Sequence, residues 1–265
     1  MAFQSVKTLV EAAGARPLWE AVLEDDLRDR GGERAGSWRR MSGLWLAMKA
    51  AAEGYDGALR SASGLTGGAG ARMAAAAETL CGPFIQDVIA TALKTGECNA
   101  CMGRIVAAPT AGASGVMPAV LLPVQKKYSL NDETMVQALY VAAGFGQVIA
   151  TRASISGAEG GCQAEVGSAS AMAAAALVHL RGGAPEQMAA ACAMAIKNLL
   201  GLVCDPVARI AVKMGPWEFF SLCACAIVLV VSISKGNMFK GLSSACIGLL
   251  FASVGYSPID AVPRF

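Results

Sequence analysis

The chain has 265 residues, 55% of them hydrophobic and only 6% aromatic, with 30 glycines and nine cysteines. That length fits one large domain or two small ones, and so many small residues suit helices whose backbones approach closely. A formal net charge of +2 gives no electrostatic case for nucleic acid as a partner.

Residues 1–60 are crowded with charge. Val6, Leu9, Val10, Leu18, Val22 and Leu23 fall near helical spacing among those charges, and Gly31-Gly32 marks a break. They read as solubilising, partner-facing helices without a site. Residues 1–40 hold no apolar run of the kind a secretory signal needs, so the cysteines point to a reducing, cytoplasmic setting with thiols or metal ligands instead of disulfides.

Residues 61–208 alternate Ala- and Met-rich helical stretches with short Gly-rich turns. The turns are Ser63-Gly64-Leu65-Thr66-Gly67-Gly68, Ala108-Pro109 through Gly115, and Ser154-Ile155-Ser156-Gly157. Gly82-Pro83 and Gly182-Gly183-Ala184-Pro185 mark further boundaries, with a helix starting at Pro185. Val/Ile/Thr alternation is scarce, so few strands are expected. The fold class is therefore all-α.

From 209 onward the character changes. Between Met214 and Ser234 the only charged residue is Glu218, and a second apolar run covers Gly241 to Gly255. Each run falls short of the roughly 20 residues that span a bilayer. They read as a C-terminal apolar helical hairpin, either buried, associated with a membrane through 217–256, or a truncated spanning segment.

Turns that present Ser, Thr and Gly at helix starts are good receptors for a carboxylate, because free N–H groups and the helix dipole both favour an anion. Singly, each reads as an ordinary N-cap. Together, the three turns around Cys162 read as a site for a small acidic ligand, with Ser63, Gly64, Thr66, Gly67, Thr110, Ser154, Ser156 and Gly157 as its binding residues. Glu159 and Glu165 flank Cys162 and either help hold that site or cap a helix. Cys98-Asn99-Ala100-Cys101 has C-x-x-C spacing but no second pair and no nearby histidine. Cys81, Cys192 and Cys246 read as core residues, Cys223 and Cys225 as packing within an apolar run. His179, the only histidine, sits at the end of a helical stretch and reads as structural. No Ser/His/Asp or Cys/His set can be built, so the catalytic residues stay unassigned and a base must come from another group or another chain.

The motif Ser154-Ile155-Ser156-Gly157-Ala158-Glu159-Gly160-Gly161-Cys162-Gln163-Ala164-Glu165 is long and specific. With Ser63–Gly68, Gly103–Gly115 and Lys197–Ala208 it resembles the α subunit, or catalytic domain, of bacterial iron–sulfur L-serine dehydratase, over about 1–208. The resemblance implies a mostly helical domain holding a 4Fe–4S cluster on three cysteines, with an open iron acting as Lewis acid in the dehydration of L-serine to pyruvate and ammonia. Cys162 and Cys204 match two of the ligands. The three turns would position the serine, and two-chain members pair with a separate β subunit. The chain departs from the pattern at Gly215, which occupies the third cysteine's place, and at Ala69, where an Asp often closes the first turn's motif. Cys223 or Cys225 would have to fold back to supply a third thiolate. Residues 209–265, in particular Ala211–Phe220, Lys240–Leu242 and Val254–Phe265, resemble the large permease subunit of tripartite tricarboxylate transporters. The chain therefore reads as a fusion joined near Asp205–Arg209.

Overall fold

The computed structural model describes residues 3–77 and 79–201, and beyond them 213, 215, 217, 221, 255–256 and 263–264. Cys204, Cys223, Cys225 and Cys246 lie outside the described residues, as does nearly all of the apolar hairpin expected over 217–256. The chain divides into two compact units, Met1–Arg209 and Ile210–Phe265. In the second, the described strands are a two-residue antiparallel pair, Gly255–Tyr256 with Pro263–Arg264.

The first unit is helical throughout its described length: α1 (Val6–Ala13), α2 (Leu18–Arg30), α3 (Arg34–Glu53), α4 (Ala69–Ala75), α5 (Gly82–Ala100), α6 (Val116–Tyr128), α7 (Asp132–Arg152), α8 (Gly157–Cys162), a π-helical segment (Gln163–Gly167), α9 (Ser168–Leu180) and α10 (Pro185–Asn198). Local chemistry sets the ends. The Ser5 side chain accepts from the Thr8 N–H, and Asn131 Oδ1 accepts from the Thr134 N–H at 2.8 Å. Pro residues in the first turns of α5 and α10 cost nothing there, because those N–H groups have no helical partner. Gly31 closes α2 in the left-handed conformation.

α7 is the axis of this unit. It packs against α9, α2 and α3, and α10 lies along α9. α7 is also, among the described residues, the one helix long and apolar enough to cross a membrane, with mean hydropathy 1.2, but 61% of that stretch is buried by its neighbours. Its apolar content therefore serves a core: Phe145, Val141 and Met135 are fully buried. Each such side chain contributes about 1.5–3 kcal/mol on leaving water. α9 presents Ala169, Ala171, Ala173, Ala175 and Ala176 as buried positions, so its backbone can sit close to both α7 and α10.

The N-terminal helices differ from the surface role expected of them. Leu9, Leu18, Leu23 and Trp45 are fully buried in the same core as α7. Their polar neighbours are tied in as well. Trp45 Nε1 donates to Asp132 Oδ1 at 2.8 Å, and Ser37 Oγ bridges Asp26 at 2.5 Å and the Tyr140 hydroxyl at 2.7 Å. Charge density alone suggested a solvated layer, but one stripe of each helix carries enough Leu, Val and Trp to complete the bundle.

Candidate active site

The three Gly-rich turns all hang on two acidic side chains and one helix. The first turn leads into α4, and its geometry is fixed from α5. Glu97 is only 5% exposed and accepts from the main-chain N–H of Ala69 at 2.7 Å, from that of Gly70 at 3.0 Å and from the Tyr55 hydroxyl. Burial pushes this carboxyl up, but the bonds from Tyr55, Gly70 and Ala69 outweigh it and hold the group below its ordinary range. Within the turn, Ser61 Oγ accepts from the Thr66 N–H at 3.1 Å, and Ser61 N–H donates to the Thr66 carbonyl at 2.9 Å. Ser63 and Gly64 are exposed, and Thr66 and Gly67 are half-buried.

The second turn is moored to the same helix. Asn99 Nδ2 donates to the Ala111 carbonyl at 3.1 Å, and a side chain at Gly115 would press on the Ala92 carbonyl of α5. Its Thr110 hydroxyl donates to Glu165 Oε1 at 2.6 Å. Glu165 sits on the π-helical segment just after Cys162, and it lies between two glycines. A Cβ on Gly112 would stand 2.5 Å from Glu165 Oε1, and a Cβ on Gly157 would stand 2.5 Å from Oε2. The second and third turns therefore close on one carboxylate, and any side chain at either glycine would displace it.

In the third turn Ser154 Oγ accepts from the Ser156 N–H at 3.1 Å and donates to Glu159 Oε2 at 2.6 Å. Gly161 adopts φ +77° inside α8, and the chain then widens into the π-helical segment. Such single π turns recur at functional sites because they re-aim side chains. Cys162 stands at this junction and is exposed. Gln163 reaches the Ile196 carbonyl near the end of α10 at 3.4 Å. The last turn of α10 thus lies beside the residue that follows Cys162.

Of the residues expected from sequence, the structure joins Thr110, Gly157 and the neighbourhood of Cys162 through Glu165, whereas Ser63–Gly67 stand apart, before the Ala69 and Gly70 N–H groups that Glu97 holds. Glu97, Asn99 and Tyr55 were missed. No local pattern marks them; only the lack of a polar partner for the turn's N–H groups could have prompted a search for a buried acceptor. Cys81, expected in the core, is exposed: it caps the start of α5 and does not face the bundle. Cys192 is buried as expected, and burial pushes its thiol up to about 11. His179 lies in the last turn of α9, where burial lowers its pKa.

A thiolate-held cluster needs three or four sulfur ligands. Among the described residues no group of three His, Cys, Asp or Glu side chains is placed to hold a metal ion. Of the two cysteines expected as ligands, Cys162 is described and exposed, Cys204 lies outside the described residues, and Gly215 brings no side-chain ligand. The described donor set does not fit a cluster.

The family model described as Serine dehydratase alpha chain matches residues 15–214. That described as Tripartite tricarboxylate transporter TctA family matches residues 167–265, so the two ranges share 167–214. The chain is 43% identical over 212 residues to the "Probable L-serine dehydratase, alpha chain" of Bacillus subtilis, covering 78% of this chain and 70% of that protein. It is 53% identical over 131 residues to the "L-serine dehydratase, alpha chain" of Peptoniphilus asaccharolyticus, 49% of this chain and 45% of that one. A Latilactobacillus sakei protein, "Probable L-serine dehydratase, alpha chain", is 52% identical over 122 residues, 46% of this chain and 58% of its own.

Proposed function

Because the chain belongs to the serine dehydratase alpha chain family, we propose that it is an L-serine ammonia-lyase alpha chain that keeps its amino-acid site and lacks the complete ligand set for its iron–sulfur cluster. The observation that carries this reading is the Thr110–Glu165 bond at 2.6 Å, with Gly112 and Gly157 closing over the same carboxylate. It ties two turns into one receptor immediately beside Cys162.

The receptor suits an amino acid. Thr110 and Ser154 spend their hydroxyl protons on Glu165 and Glu159. A substrate carboxylate is then met by main-chain N–H groups of the turns, where glycine lets it come close. Glu165 carries the opposite charge and suits the substrate's ammonium. In the family's reaction, loss of water from serine followed by release of ammonia and pyruvate, a bound cluster would supply Lewis-acid chemistry. Cys162 and Cys204 are the thiolates this chain retains for a 4Fe–4S cluster, and Gly215 leaves the set one short. The chain therefore binds serine and turns it over only where a third ligand is supplied. The base is expected from a β chain, the partner that the alpha-chain name of its relatives implies.

Isothermal calorimetry tests the site without depending on turnover. L-Serine should bind the full chain and 3-hydroxypropionate, which lacks the amine, should bind at least about tenfold more weakly. Equal binding of both, or none of either, refutes the receptor.

A second reading rests on the match of 167–265 to the transporter family. In it, 217–256 attaches the cytoplasmic unit to a membrane. Flotation of the full chain with anionic and zwitterionic vesicles, against a chain ending at 209, separates the two: co-flotation that needs 210–265 supports attachment, and equal recovery of both in the soluble fraction removes it.

A further inference from the structure

A cavity of about 250 Å³ opens under the C-terminal turn of α5, walled by Tyr55, Glu97, Cys98, Cys101 and Arg104 among others. We propose that Cys98 and Cys101 form a reversible dithiol–disulfide pair at this cavity, and that its closure shifts the turn of α5 from which Glu97 and Asn99 hold the first two Gly-rich turns.

The two cysteines lie three positions apart, Cys98 in the last turn of α5 and Cys101 at its C-cap. Residues at that spacing face the same side of a helix with Cβ atoms roughly 5–6 Å apart. Both are half-buried and both line the cavity, so a small reagent can reach them. The chain beyond them folds back over the first sulfur. Met102 takes φ +63°, Gly103 N–H donates to the Cys98 carbonyl at 2.8 Å, and the Cys98 thiol points to the Arg104 carbonyl at 3.7 Å. Position 103 must be glycine for this, because a Cβ there would collide with Cys98 Sγ. Cys192 offers the contrast, being only 4% exposed in the core.

Burial and the neighbouring Cys101 both raise the Cys98 thiol's pKa. The Cys98 thiol is already turned to the Arg104 carbonyl, which leaves Cys101 to start the exchange. With a low-molecular-weight disulfide as oxidant, the Cys101 thiolate attacks one of its sulfurs and expels the other as a thiolate. The expelled thiolate takes the Cys98 proton, and Cys98 then attacks Cys101 Sγ and releases the second small thiol. One S–S bond breaks, one forms, and the two protein hydrogens end on the two small thiols.

A disulfide needs its Cβ atoms at about 3.8 Å. Closure must draw Cys101 toward Cys98, and the residues between and beside them move with it. Glu97 carries the Ala69 and Gly70 N–H groups and Asn99 carries the Ala111 carbonyl. The oxidation state of the pair is thereby linked to the alignment of two turns of the site.

The test uses the full chain equilibrated across ratios of reduced to oxidised glutathione, quenched by alkylation and cut with trypsin. Cleavage after Lys94 and Arg104 releases residues 95–104, which contain both cysteines and no other. The expected product is this peptide two hydrogens lighter and free of adduct, with the exchange rates of the Ala69 and Gly70 amides differing at least roughly tenfold between the two states. Two unpaired thiols, or a glutathione on each, under conditions where exposed Cys81 and Cys162 have reacted, overturns the pair. A closed disulfide with unaltered exchange at Ala69 and Gly70 overturns the linkage.

Discussion

Replacing Glu97 by alanine removes the acceptor that holds the first Gly-rich turn to α5. Three donors lose their partner: the N–H groups of Ala69 and Gly70, at 2.7 and 3.0 Å, and the Tyr55 hydroxyl. A hydrogen bond to a charged acceptor is worth about 1.5–3 kcal/mol, and a buried donor left without a partner costs a similar amount. The three do not add, because the cavity of about 250 Å³ that Glu97 lines lets water reach the vacated place. The expected loss is about 2–4 kcal/mol, the cost of the lost charge-assisted bonds with the vacated donors partly rehydrated. For a unit of this size that lowers Tm by roughly 10 °C. Urea unfolding of the full chain, followed by helical circular dichroism, reads the loss. Tyr55→Phe serves as the comparison, since it removes one donor, leaves the carboxylate satisfied by the main chain, and should cost about 1 kcal/mol. A Glu97→Ala protein within about 1 kcal/mol of the parent, with protection at Ala69 and Gly70 unaltered, would refute the assignment of Glu97 as the anchor.

The same carboxyl sets a pH dependence. Its folded pKa lies below the ordinary 4.5, so its contribution is present above about pH 4.5 and is lost as pH falls through the lower folded value. The urea midpoint of the parent should therefore fall more steeply below about pH 4.5 than that of Glu97→Gln, and parallel curves would contradict it. Gly112→Ala places a methyl 2.5 Å from Glu165 Oε1; it should weaken L-serine binding at least about tenfold in calorimetry while changing the urea midpoint little. If Cys223 or Cys225 supplies a third thiolate, the double change Cys223→Ser/Cys225→Ser should abolish the visible absorption of anaerobically reconstituted protein, and unchanged absorption rules out that rescue.

Much of the helical order was legible because its signals are local. Pro83 and Pro185 mark helix starts, Gly31 marks an end, and scarce β-branched alternation pointed to few strands. The long motif around Cys162 marked the third turn because it is contiguous. What could not be read is how these turns are held. Glu97 and the turn at Ala69 are 28 positions apart, and Thr110 and Glu165 are 55 apart. Neither pairing has a period or a spacing rule, since each depends on which helices become neighbours. The N-terminal helices were misread for a related reason. Their charges dominate composition, whereas burial is decided by single stripes such as Leu9, Leu18, Leu23 and Trp45.

Mass action sets what bound iron would add to stability. The described core draws its apolar side chains from α7, α9, α10 and the N-terminal helices, so this unit is unlike the small domains whose metal is their core. Iron can then only add to an existing stability, and by an amount that reports its affinity. A ligand present at about 100 times its Kd stabilises the folded state by about 2.7 kcal/mol. For a unit of about 200 residues that is an increase in Tm of roughly 5–10 °C. Cys162 stands exposed, outside that core, and among the described residues no group of three His, Cys, Asp or Glu is placed to hold a metal ion. Anaerobic reconstitution should therefore raise Tm by less than about 2 °C and bind substoichiometric iron. An increase of roughly 5 °C or more that disappears in Cys162→Ser would mean that the chain completes its ligand set after all, from a thiolate beyond the described residues or from another chain.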